Sequence, residues 1–417
     1  MNQTRLSCVS CARTYPLFEL RYECDCLGLL EVLHEEKGLA ELKSKADLRL
    51  VSREPIDRSG VWRFREAVVP LEKHEIVTQG EGGTGFHQID SLRAWTGCQG
   101  LSIKHEGENP TGSFKDRGMT AAVTIAKKLG VKLLACASTG NTSSALSSYA
   151  ARAGLQAVVF LPSGKVSLGK MAQTLGYGAH VLAVKGDFDD AMQIVRDLAR
   201  AGDVYMVNSL NPFRIEGQKT IIWEILQDMN WVAPDWIVVP GGNLGNTSAF
   251  GKAIEEAFAW GWIKKKPRLA TIQAAGANPF YKSYLNGFQS LESMQAETIA
   301  TAIRIGNPVN FTRASRAIIN TRGVVGEVTD AEILTAKGAI DRSGLGCEPA
   351  SAATLAGLRQ LIQSGVVKSS ETVVAVLTGH MLKDTDAILK SQNLETEEVA
   401  ADPKAIQLSL DRLRARN

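Results

Sequence analysis

The sequence predicts an α/β fold built on parallel sheets. Three observations carry this. Short apolar runs recur beyond residue 100, each is followed by helical patterning, and the junctions are rich in Gly, Ser, Thr and Asn. Runs that are apolar without alternation belong to strands buried on both faces. Strands that alternate with helices are joined by crossovers, which gives parallel pairing.

Residues 1–75 are mixed. They hold four of the seven cysteines, a helical stretch at "LGLLEVLHEEKGLAELKSKADL" and a loop-like, Arg-rich "SREPIDRSGVWRFRE". The strand candidates then follow in order: "VKLLACA" (131–137), "QAVVFLP" (156–162), "AHVLAV" (179–184), "VYMVNS" (204–209), "DWIVVP" (235–240), "RLATIQAA" (268–275) and "TVVAVLT" (372–378). Between them lie helix patterns such as "TSSALSSYAARAG", "DFDDAMQIVRDLARAG", "IEGQKTIIWEILQDM", "NTSAFGKAIEEAFAWG" and "ASAATLAGLRQLIQSG". The tail from about Ser391 reads as a charged amphipathic helix that packs on the body or on a partner subunit.

At 417 residues the chain suits two or three domains. Apolar content of 44% and charged content of 22% are those of a globular protein. A net charge of +3 lacks the clustered basic excess of a nucleic-acid binder. No apolar run reaches the roughly 18 residues of a membrane span, and the amino terminus lacks an apolar signal region. With an odd number of cysteines, these features predict a cytoplasmic chain with few or no disulfides.

In parallel α/β sheets, ligands bind beyond the carboxyl ends of the strands. The turn after 131–137 is "STGNTSSA"; one helix cap accounts for one of Ser138, Thr139, Asn141 and Thr142, not for all four. The turn after 235–240 is "GGNLGN", whose glycines let backbone amides approach an anion at a helix mouth. It is not an ATP-binding loop, and "GKVSLGKM" (164–171) has Met171 where the magnesium-binding hydroxyl should stand. After 204–209, Arg214 and Lys219 with Asn208 and Ser209 could hold a second anion, although a solvated Arg at a helix start explains it equally. Thr378 ends the last strand. Finally "NPTGSFKDRG" (109–118) sets Lys115 in a Gly-Ser frame at a helix mouth. Lysine forms Schiff bases with carbonyl cofactors once its pKa is lowered, and pyridoxal phosphate has the matching aldehyde and phosphate.

"NPTGSFKDRG", "STGNTSSA", "GGNLGN" and "LTGH", in this order and at these distances, resemble the fold-type-II pyridoxal-phosphate enzymes. "NSLNPFRIEGQKT" and "IRIGNPVNF" (303–311) are similar to threonine synthases in particular. The resemblance spans roughly residues 75–390. It implies two open, mostly parallel sheets flanked by helices. A large cofactor domain would comprise 76–130 and 226–390, with a smaller mobile domain at 131–225, an amino-terminal segment at 1–75 and a tail at 391–417. It implies that Lys115 links covalently to the cofactor and moves protons, and that Asn141 bonds the ring 3-hydroxyl. Gly242, Asn243, Leu244, Gly245 and Asn246 would cradle the phosphate, and Thr378 would face the ring nitrogen. Ser138, Thr142, Asn208, Ser209 and Arg214 would contact substrate. The implied reaction converts O-phosphohomoserine and water to threonine and phosphate, in a homodimer. Same-fold alternatives are a threonine or serine dehydratase and a cysteate synthase using phosphoserine and sulfite. An inactive homologue acting as a ligand sensor is the non-enzyme alternative. Asp116 and Arg117 read as local structural pairs.

Cys8-x-x-Cys11 and Cys24-x-Cys26 stand in a region where many threonine synthases carry a cysteine-bearing ribbon. Zinc favours two C-x-x-C knuckles. The C-x-C half departs from that, because residues i and i+2 converge only around a tight turn, which Gly28 would ease. The spacing therefore weighs towards spare thiols over a structural zinc.

Overall fold

A computed structural model describes residues 4–35, 38–164, 168–186, 188–391 and 397–414. Two parallel sheets dominate. The larger runs in the order Val324–Val328, Arg268–Ala274, Trp236–Pro240, Thr372–Leu377, Gly100–His105 and Phe86–His87. All its pairings are parallel except that of the short Phe86–His87 edge. The smaller runs His180–Val184, Gln156–Pro162, Leu133–Ala137 and Tyr205–Met206, all parallel. Its four strands fall within 131–225, whereas those of the larger sheet come from 76–130 and 226–390.

The central strands are buried along almost their whole length. Trp236, Ile237, Val238 and Val239 are wholly inaccessible, as are Val374, Ala375, Val376 and Leu377. That is the consequence of helices covering both faces. All seven apolar runs form strands. The "IEGQKTIIWEILQDM" pattern is broken at Lys219 into Pro212–Gln218 and Thr220–Asp228.

The amino-terminal segment departs from the helical reading of "LGLLEVLHEEKGLAELKSKADL". Only Leu42–Leu50 is helical; Leu30–Leu33 is a strand, and residues 36–37 lie outside the described residues. Leu30 and Val32 alternate inward, and the strand pairs antiparallel with Arg5–Cys8, itself paired with Thr14–Pro16. A period of two over four residues is invisible beneath a longer apolar pattern. Trp223, Trp231, Trp260 and Trp262 pack in tilted or edge-to-face pairs beneath this segment, with ring centroids 5.1–5.7 Å apart. The tail forms a helix at Pro403–Arg414, but none of its described residues is buried. Among the described residues no helix is long and apolar enough to cross a membrane.

Candidate active site

Lys115 opens the helix Lys115–Lys128. The preceding loop is pinned to the end of strand Thr372–Leu377: Ser113 bridges Gly379, Phe114 N donates to Thr378 O (3.0 Å), and His380 N donates to Gly112 O (2.9 Å). Lys115 and Thr378 are thereby fixed to one another through backbone. The Lys115 Nζ lies 3.6 Å above the Phe114 ring. Burial, aided by the charge of Arg214 and opposed by Glu348, lowers Lys115 to about 7. Near neutral pH much of it is an unprotonated amine.

Helix Pro212–Gln218 packs closely on helix Lys115–Lys128, with Gly118 lying against Arg214 and Gly217 against Arg117. Arg214 and Gln218, one turn apart, share a face. Arg214 is 3% exposed, and its Nη1 donates to Val207 O (3.0 Å). Among the described residues its Nε has no partner and no carboxylate pairs with it. Burial lowers it only to about 10, so the guanidinium stays charged. A buried charge without a counter-ion is costly.

The "GGNLGN" turn follows strand Trp236–Pro240 and opens helix Gly245–Ala259. Leu244 is left-handed at φ 61°. Among the described residues, the amides of Gly242, Asn243 and Leu244 donate to no carbonyl. The turn is held from outside, since Val309 N donates to Asn243 Oδ1 and Asn310 Nδ2 to Asn243 O (both 3.1 Å). A Cβ on Gly242 would sit 2.9 Å from Ile303 Cα. Gln218 joins this cradle to the lysine helix, because its amide lies 3.2 Å from the Cβ position of Gly245 and 2.9 Å from that of Gly118. The amide oxygens of Gln218 and Asn246 are buried without partners.

The small sheet contributes Ser138–Thr142, all half-exposed at the end of strand Leu133–Ala137. No side chain caps the helix Asn141–Ala153, whose N-cap is Gly140. These polar groups are therefore not accounted for by capping, although Ser138 Oγ accepts from Gly140 N (3.3 Å). Asn141 Nδ2 donates to Glu348 Oε2 across the gap between the sheets (2.9 Å). Asn208 is engaged within the small sheet. Its amide bonds Ala137 N and O (3.1 and 3.0 Å), extending the sheet at that point. Ser209, beside it, is half-exposed.

Glu348 is the residue that sequence reasoning missed. It takes the Asn141 bond, receives a long one from Thr378 Oγ1 (3.4 Å), and is raised by burial against the pull of Asn141 and Lys115. "CEPASAA" places a Glu before a proline at a helix start, which reads only as a cap. Ser351, one turn on, holds Thr378 through its amide and hydroxyl (2.8 and 3.0 Å). Asp116 accepts from Thr111 N and Oγ1 (2.7 and 2.5 Å), and burial lifts it to about 7. Arg117 forks onto Glu106 and reaches Glu224. Asp116 pairs locally, as its sequence setting suggests, whereas Arg117 also reaches a carboxylate 107 positions along the chain.

Residues 77–379 match the family described as pyridoxal-phosphate dependent enzyme. Over 408 residues, 97% of this chain and 99% of the relative, the sequence is 44% identical to threonine synthase of Methanocaldococcus jannaschii. The chain belongs to the threonine synthase family of pyridoxal-phosphate-dependent enzymes. It is also 43% identical over 412 residues to threonine synthase of Methanosarcina acetivorans, covering 98% of this chain and 97% of that one. The crystal structure of threonine synthase from Escherichia coli superposes with a TM-score of 0.71 at 16% identity, over 95% and 93% of the two chains, which shows the shared fold.

The family's cofactor is pyridoxal phosphate, and the residues here fit it. A lysine lowered to about 7, an amide-lined turn with unused donors and unpartnered buried amides at its rim suit an aldehyde that carries a phosphate.

Proposed function

We infer that this chain converts O-phospho-L-homoserine and water to L-threonine and phosphate. The observation that carries this reading is Arg214, a buried guanidinium that has no carboxylate partner among the described residues and is packed beside Lys115. A substrate phosphate gives such a residue a dianion to bind, which threonine and serine lack. The threonine synthases to which the chain is 43–44% identical over nearly its whole length support the same reading.

When bound, pyridoxal phosphate supplies an electron sink for carbanions formed on the amino acid. The chain does the rest. The amides of Gly242, Asn243, Leu244, Gly245 and Asn246 hold the cofactor's phosphate at the mouth of helix Gly245–Ala259. Thr378, fixed by Ser351, would offer a hydroxyl to the cofactor ring, and Asn141 would offer its amide. Lys115, about half neutral near pH 7, is the base that takes and returns protons at Cα and Cβ. Arg214 and Ser209 hold the substrate phosphate, and Ser138 and Thr142 its amino-acid end. Asn208 contributes by shaping the strand end that presents Ser209. Segment 131–225 moves against the rest of the chain. Among the described residues, bonds that cross between them at the cleft include Asn141 to Glu348, Gln173 to Lys383 and Gln173 to Thr111 O, and closure there excludes water.

The test is a side-by-side assay of O-phosphohomoserine, threonine, serine, and phosphoserine with sulfite. Threonine and phosphate formed from the first alone support the reading. Turnover of phosphoserine with sulfite would make it a cysteate synthase, deamination of threonine or serine a dehydratase, and no turnover by a cofactor-loaded protein a sensor.

A further inference from the structure

We propose that Cys8, Cys11, Cys24 and Cys26 form a tetrathiolate site for one structural zinc ion, which fastens the amino-terminal sheet to both halves of the fold. All four Sγ atoms lie within 4.8 Å of one another. The shortest separations are Cys8 to Cys26 (3.5 Å), Cys11 to Cys26 (3.5 Å) and Cys11 to Cys24 (3.6 Å). Zinc–sulfur bonds of about 2.3 Å in a tetrahedron set sulfurs about 3.8 Å apart. A disulfide needs about 2.05 Å and draws sulfurs into pairs, whereas Cys11 here stands almost equally near two partners.

The backbone explains why the unusual C-x-C half can serve. Cys24 N donates to Gly28 O (2.9 Å) and Leu27 N to Cys24 O (2.8 Å), with Leu27 left-handed at φ 64°. This is the tight turn that an i, i+2 pair requires. The first pair sits on a matching turn, where Ala12 N donates to Cys8 O (3.0 Å) and Ala12 has φ 59°. Ser10 N also donates to Cys8 Sγ (3.4 Å). Gly28 closes the site, since a Cβ there would stand 2.7 Å from Cys8 Sγ.

A second candidate cluster, His34 with Glu216 and Glu256, is not a metal site. The Lys219 ammonium already lies 2.5 Å from Glu216 and 2.8 Å from Glu256, and Lys252 bonds Glu216 as well.

The cysteine-bearing sheet touches both larger sheets' domains. Met206 N, in the small sheet, donates to Tyr22 OH (2.8 Å). On the other side Arg313 donates to Leu30 O and Lys252 to Val32 O, and Lys252 belongs to the helix that opens at the "GGNLGN" cradle. A metal that fixes the two turns fixes the strands Arg5–Cys8 and Leu30–Leu33 between these anchors.

The experiment is elemental analysis of the full-length, cofactor-loaded protein, purified under reductant from zinc-supplemented culture. It is paired with cobalt substitution and with the exposed-site variants Cys11→Ser and Cys26→Ser. About one zinc per chain is expected, replaced by cobalt with a thiolate charge-transfer band, and each variant should fall below about 0.1 equivalent. The cofactor absorbance of each variant verifies that it is folded. Should either not fold, the cobalt band of the unaltered protein decides alone. Zinc below about 0.1 equivalent in the unaltered protein, a disulfide among the four cysteines, or full zinc retained by folded Cys26→Ser would each overturn the proposal.

Discussion

Arg214 and Lys115 are expensive residues in the cofactor-free fold, and the cost argues for their use. Replacing Arg214 with Ala removes a charge-assisted contact worth a few kcal/mol. The KM for O-phosphohomoserine should rise about 10- to 100-fold, cofactor absorbance should be unchanged, and Arg214→Lys should recover part of the loss. The same Arg214→Ala change deletes an unpaired buried charge, so the cofactor-free protein should unfold at equal or higher urea concentration than the parent. Lys115 makes a prediction in pH. Its amine is depressed to about 7, so the reactive neutral form grows as pH rises through 7 and is nearly complete above 8. Uptake of pyridoxal phosphate by the cofactor-free protein, followed by absorbance, should rise with a midpoint near 7 and then level. An ordinary lysine would keep accelerating towards pH 10, with its midpoint near about 10.4. The residues of this site that sequence reading finds are those in unusual frames, such as a lysine between "TGSF" and "DRG". It does not find Glu348, because nothing local separates a buried Glu bonded to Asn141 from an ordinary residue ahead of a proline.

The elements place these groups through a few contacts. Helix Pro212–Gln218 sits between the lysine helix and the cradle helix, with Arg214 and Gln218 on one face and Glu216 towards His34 on another. The cradle turn leaves no room for a side chain, so Gly242→Ala, whose Cβ would meet the Ile303 backbone, should weaken cofactor binding in an absorbance titration. Glu348, at the start of helix Pro349–Gln363, tethers Asn141 and so positions the small sheet's turn. Glu348→Ala should lower kcat by up to about 10²-fold and shift the cofactor band, and Glu348→Gln, which can still accept from Asn141, should recover most of both. Strands of five to seven buried apolar residues were legible because burial on both faces leaves an uninterrupted run. Gly100–His105 was not, because Ser102, Lys104 and His105 interrupt it. Lys104 is nonetheless fully buried, its ammonium held by Glu224 (2.6 Å) and Asp228 (2.9 Å) from a helix 120 residues onward. That compensation comes from far along the chain and has no local signature.

The two sheets and the amino-terminal segment are joined by buried charge as well as by apolar packing. Arg117 contacts Glu106 (2.6 Å) and Glu224 (2.9 Å), and Arg63 approaches Glu224 (3.5 Å). Burial opposes the Arg117 charge, but Glu106 and Glu224 outweigh it and hold the guanidinium above its usual value. Arg117→Ala would leave two carboxylates buried beside fewer cations, and it should cost about 3–5 kcal/mol in urea denaturation. Two parallel sheets could be read from the sequence together with the resemblance; the way the first 75 residues clasp both could not, because its bonds pair residues such as Tyr22 and Met206 that are 184 positions apart. Everything proposed for the chemistry rests on which amine holds the cofactor. Borohydride reduction of the cofactor-loaded protein, followed by peptide mass mapping, answers that directly. The label should fall on the peptide that contains Lys115 and vanish in Lys115→Ala. A label on another lysine, or none on a protein that turns over substrate, would contradict the account.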